Sequence, residues 1–101
     1  MGSRIVFNRI LQRLREKVRA REYVMTTHAE EEMEADGLEI FDVEHCMLRG
    51  EIVERQKDPD TGEWKYLVSG NTVGDEAAIV VTKLSYTGKM VIVTMFLEQK
   101  R

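Results

Sequence analysis

At Gly50 the hydrophobic pattern of this 101-residue chain changes period. Upstream, apolar residues recur at helical spacing; downstream they fall in short runs rich in β-branched residues and bounded by turn formers. A chain that changes period once, in that direction, is directed toward an α+β domain in which helices cover one face of a sheet.

The helical part reads as two to three segments. Ile5, Ile10, Leu11, Leu14 and Val18 predict an amphipathic helix with basic residues on the intervening positions. A short extended piece follows at Tyr23–Met25, and Thr27 is the expected cap of a second helix, accepting from the Glu30 amide while Glu30 reaches back. Gly37 should end that helix. A third helix is expected over Ile40–Arg49, burying Val43, Cys46 and Met47 and closing at Gly50. Strands are expected at Glu51–Lys57, 63–69, Ala77–Leu84 and Met90–Leu97. The loops at 58–62 and 85–88 contain glycine and should close antiparallel hairpins. The predicted architecture is therefore two to three N-terminal helices followed by a four-stranded antiparallel β-meander. It forms one domain over residues 1–101, with a basic amphipathic helix at 1–22 and the core at 23–98. Met1-Gly2-Ser3 reads as an expression remnant.

Composition supports a folded chain, since 43% of residues are hydrophobic, 33% are charged and there is one proline. The apolar runs are too short to cross a bilayer and no secretory pattern opens the chain, so a cytoplasmic location without a membrane partner is expected. The lone Cys46 has no internal disulfide partner and reads as a small buried hydrophobe. Charge is distributed unevenly. Residues 1–22 carry +5 and the remainder −8, and residues 23–48 hold eight carboxylates with no lysine or arginine. The basic helix is either a solvated face or an arm for nucleic acid or an acidic protein.

The stretches "TTHAEEEMEADGLEIFDVEHCMLRGEIVERQKD", "EWKYLVSG" and "VVTKLSYTGKMVIVTMF" together resemble the domain-of-unknown-function family 4258. The likeness lies in a Thr-x-His-Ala helix start, a Gly-x-Ile strand and a last strand ending in a threonine and an aromatic, and it covers about residues 23 to 98. The family is generally grouped with RelE and MqsR type toxins, so the resemblance implies a RelE/MqsR-like fold. It also implies a small metal-independent endoribonuclease toxin of a toxin-antitoxin pair, which cleaves mRNA, free or ribosome-bound. The implied partner is a cognate antitoxin, of the zinc-finger YgiT type.

Such cleavage proceeds by attack of a ribose 2′-hydroxyl on the neighbouring phosphate and leaves 2′,3′-cyclic phosphate ends, so it needs a proton-transfer group and a cation at phosphorus. His28 is the expected proton-transfer group. Arg55, Lys65 and Lys83 are the expected cations, and Thr94 the polar group that interrupts the last strand. Tyr66 and Tyr86 are the expected base-stacking groups, with Trp64 a further candidate. Period two sets Lys65 and Tyr66 on opposite faces, with Lys65 on the cleft side. No cofactor is expected. A metal reading of His28 with Glu31 or Glu32 and His45 lacks the ligand set of a structural zinc site. The acidic segment opposes an RNA substrate electrostatically, unless the basic groups gather on one side. The alternative function is a non-catalytic interaction domain that binds a partner protein through its acidic helices.

Overall fold

The computed structural model describes residues 2–98, with side chains from Phe7 onward, so the readings of Met1, of the Arg4 and Ile5 side chains and of residues 99–101 lie outside it. The order is α1 (Gly2–Ala20), β1 (Tyr23–Met25), α2 (Thr27–Ala35), α3 (Ile40–Arg49), β2 (Glu51–Lys57), β3 (Trp64–Asn71), β4 (Ala77–Leu84) and β5 (Met90–Leu97).

The strands form a five-stranded mixed sheet in the order β1-β5-β4-β3-β2. β2 to β5 are antiparallel neighbours, as the meander reading requires. The fifth strand corrects that reading: the extended piece at Tyr23–Met25 pairs in parallel with β5, in the register Tyr23↔Met90, Val24↔Val91, Met25↔Ile92. Three residues are too few to show a period of two, and their partner lies at the far end of the chain, so nothing local announces the pairing.

All three helices lie on one face. Leu11, Leu14 and Val18 of α1, Ala29 and Met33 of α2, and Val43, Cys46 and Met47 of α3 share one buried cluster with Tyr66, Val68, Val80, Met90, Ile92 and Met95 of the sheet. α2 rests on β5, α3 on β3 and β4, and α1 on α3 and β2. Since α1 hands over to β1 at one edge and touches β2 at the other, it crosses the whole layer. Its 19 residues make a rod of about 28 Å, against about 19 Å across five strands.

The helix ends depart from expectation in one respect. Thr26, not Thr27, caps α2: it is the last extended residue (φ −74°, ψ 157°), and its hydroxyl accepts from the Ala29 amide at 3.0 Å while donating to the Val93 carbonyl at 2.9 Å. Gly37, at φ 70°, follows the last turn as expected. At the start of α3, the Glu39 amide donates to the Asp42 carboxylate at 2.9 Å, the returning half of a capping box. At its end, the Arg15 guanidinium donates to the carbonyls of Met47 (3.1 Å) and Gly50 (2.6 Å). One arginine of the basic helix thus closes the neighbouring helix. The close crossing of α3 on β3 depends on Gly70, where a Cβ would stand 2.8 Å from the Cys46 carbonyl oxygen. Among the described residues, no helix is long and apolar enough to cross a membrane.

Candidate functional site

The residues that sequence reasoning selected fall into separate places. Lys65 and Lys83 are opposite each other in the β3/β4 register, on the sheet face away from the helices. Glu63 meets Lys83 at 3.3 Å, with both side chains largely covered. Asp58, in the β2–β3 hairpin, receives the Asp60 amide at 2.9 Å and the Thr61 amide at 3.4 Å. These backbone donors, first that of Asp60, hold its carboxyl below the usual range, and the charges of Lys83 and Lys65 act in the same direction. Tyr86, at the tip of the β4–β5 hairpin, is 84% exposed, and its hydroxyl lies 3.8 Å from where a Gly62 Cβ would be. The two hairpin tips therefore stand side by side and gather Lys65, Lys83, Tyr86, Asp58 and Glu63. Two cations and two carboxylates make this group neutral overall.

The other four candidates lie elsewhere. Arg55 belongs to β2 at the sheet edge and pairs in register with Tyr66, so both point to the helix side. Its guanidinium sits 4.1 Å from the Trp64 ring centroid, with the Lys57 ammonium at 5.6 Å. Tyr66 is 6% exposed within the core, where no nucleobase can reach its ring. Thr94 pairs with Val81 on the open face, one strand farther from β2 than Lys83 is. His28 stands in the first turn of α2, which packs on β5 near the opposite sheet edge from Arg55. Four strand spacings, about 19 Å, separate the β1 and β2 edges.

His28 is exposed, and among the described residues its side chain has no hydrogen-bond or ionic partner. Its neighbours in the Thr-x-His-Ala segment serve the fold: Thr26 caps and ties α2 to β5, and Ala29 is fully buried. His45 is held differently. Its Nδ1 donates to the Asn71 carbonyl at 2.9 Å, which fixes the proton on that nitrogen and joins α3 to the end of β3. Among the described residues, no group of three or more His, Cys, Asp and Glu side chains is arranged to hold a metal ion.

Sequence reasoning missed two groupings. One is Asp58 and Glu63 beside the lysines, which the acidic hairpin sequence hints at but only strand register reveals. The other is the contact from Tyr23 to Glu44: the phenol donates at 2.7 Å, and Arg21 approaches the same carboxylate at 3.7 Å. Burial first, and then the Glu44 carboxylate, push the Tyr23 phenol well above its ordinary range. An open cleft of about 400 Å³ adjoins them, lined in part by Lys17, Arg21, Thr87 and Lys89. No sequence signal marks this grouping, because it exists only once β1 joins the sheet.

No curated protein and no solved structure matches the chain. A family model does match, over residues 25–96, from the end of β1 to the end of β5. Helices α2 and α3 and the antiparallel strands fall inside it, and the basic helix α1 outside. The chain therefore belongs to the family described as Domain of unknown function (DUF4258).

Proposed function

We propose that this chain is a non-catalytic protein-interaction domain that binds a partner protein through its acidic helices. The observation that carries the reading is the neutral group at the hairpin tips. Metal-free RNA cleavage needs uncompensated positive charge near a proton-transfer group, yet Lys83 is held by Glu63, Asp58 adds a second carboxylate, and the pair of lysines faces away from the helix layer that holds His28. Phosphate reaching Lys83 has to displace a carboxylate that is 16% exposed. The exposed Glu30, Glu31, Glu32 and Glu34 of α2 meanwhile offer a surface to a basic partner segment. The test is purified protein incubated with a defined RNA, with the ends mapped for 2′,3′-cyclic phosphate. We expect no cleavage; cleavage that His28→Ala abolishes overturns the reading.

One observation favours a second reading, a RelE/MqsR-like endoribonuclease toxin acting on free or ribosome-bound mRNA: His28 is exposed and without a structural partner inside the segment that carries the resemblance. It then supplies the proton transfer, and Arg55, Lys65, Lys83 and Thr94 act only after the substrate or the ribosome rearranges their surroundings. Induced expression of wild type, His28→Ala and Lys65→Ala separates the readings. Growth arrest by wild type that both variants relieve supports the toxin; no arrest supports the interaction domain.

A further inference from the structure

β2 is the last strand of the sheet, so among the described residues one of its long edges has no neighbour. Among the described residues, no backbone group beyond its pairing with β3 exchanges a hydrogen bond with Glu51–Lys57. Seven residues give an edge of about 23 Å. Six of the seven are exposed, Ile52 alone being buried, and a bulge at Val53 leaves that side chain 57% exposed. The opposite edge differs, because β1 has only three residues.

The charges along β2 sort by face. Arg55 and Lys57 point to the helix side, where both sit over Trp64 and neither has a carboxylate partner among the described residues. Arg9 and Arg13 of α1, the helix that rests on β2, are likewise exposed and unpaired among the described residues. Toward the C-terminal end of α1, Lys17 meets Glu22 and, just past the helix, Arg21 meets Glu44, while Arg19 is exposed and unpaired among the described residues. On the open side of β2, Glu54 accepts from Gln56 at 2.9 Å, and Glu51 opposes Ser69. A second copy pairing antiparallel about Arg55 or Gln56 sets these cations against their own kind, and one centred on Glu54 sets that carboxylate against itself. The edge admits a strand of complementary pattern.

We infer that the outer edge of β2 docks an extended segment of a partner protein that carries acidic side chains at alternate positions. The inference rests on the interaction reading and adds to it a second contact, made by a different segment of the partner from the basic one that α2 faces. Main-chain hydrogen bonds add the segment as a sixth strand, its acidic side chains meet Arg55 and Lys57, and its intervening side chains lie on the Glu51 and Glu54 side and are neutral or basic. Trp64 holds the two cations over its ring, on the helix-side face of the sheet beside this edge, before the partner arrives.

The test uses fluorescein-labelled peptides and fluorescence anisotropy. An alternating Glu-Thr decapeptide should bind the wild-type chain, and protect the amides of 51–57 from hydrogen exchange. Binding should fall by about ten-fold or more in Arg55→Glu/Lys57→Glu, and that variant should take the matching Lys-Thr peptide instead. The milder Arg55→Gln/Lys57→Gln variant, checked for a wild-type melting curve, should lose affinity without gaining the Lys-Thr peptide. N-methylation of alternate peptide amides should abolish binding. Equal binding by the N-methylated peptide, unchanged affinity in the charge variants, or tighter binding of a uridine decanucleotide that the same variants weaken overturns the proposal. Failure of the peptides without RNA cleavage removes only the β2 assignment, whereas His28-dependent cleavage removes the interaction reading itself.

Discussion

Arg15 reaches the carbonyl of Gly50, 35 residues away, at 2.6 Å and so ends α3 from a different helix. With the second bond to Met47, at 3.1 Å, it satisfies two of the carbonyls that a helix C-terminus leaves open. Arg15→Met keeps the stem and removes both donors. We expect a loss of about 2 kcal/mol in urea unfolding, in the range for hydrogen bonds from a charged donor.

Thr26 and His28 are two residues apart and should behave oppositely. Thr26→Val removes both the α2 cap and the tie to Val93, and should cost about 1–2 kcal/mol. His28→Ala removes an exposed side chain without a described partner and should leave stability within about 0.5 kcal/mol. Paired thermal melts check both.

Gly70→Ala should destabilise by about 2 kcal/mol, because the added methyl meets the Cys46 carbonyl at 2.8 Å and the Cys46 Sγ at 3.0 Å between two elements that cannot separate cheaply. Gly37→Ala meets no atom within 4 Å but must hold φ at 70°, so its smaller penalty, about 1 kcal/mol, is purely conformational. Denaturant midpoints for the two variants separate crowding from backbone strain.

Alkaline solution should weaken the fold. Burial pushes the Cys46 thiol up to about 11, with the Glu98 charge adding to it, and Tyr23 is raised as well. Both groups hold their proton more tightly folded than unfolded. The thiol's contribution is therefore complete below its unfolded range near pH 9 and is lost as pH rises toward 11, whereas that of Tyr23 starts to be lost only above the phenol's unfolded range near pH 10. The loss should be on the order of 2 kcal/mol, and Cys46→Ala should flatten the thiol's part of the profile. In the native chain below pH 9, a thiol reagent should modify Cys46 only at the rate of opening.

Local signals carried much of the fold. The α3 boundaries, the stop at Gly37, the two hairpins and the burial of Val43, Cys46 and Met47 follow from period and terminal glycines, which act over a few residues. The cap of α2 moved from Thr27 to Thr26 because a second bond, to Val93, chooses between two adjacent threonines, and that bond is not local. Strand β1 escaped for the same reason. The candidate site was less legible still. Residue type marked Lys65, Lys83 and Tyr86, and register brought them together. Type alone did not disclose that Glu63 and Asp58 stand with them, or that Arg55 and Tyr66 turn to the other face. Which side chains share a hollow is decided by pairing order, and that is written across the whole chain.

The parallel pairing of Tyr23–Met25 with Met90–Ile92 also orders events in time. During synthesis, α2, α3 and the hairpins can assemble as they emerge, but the Tyr23–Met25 triplet at the sheet's edge must wait until residues 90–92 have left the ribosome. Closing a loop of that span comes late and is slow relative to local steps. Until then the C-terminal end of α1 is not tied to the sheet through β1, and only its contacts with α3 and β2 hold it.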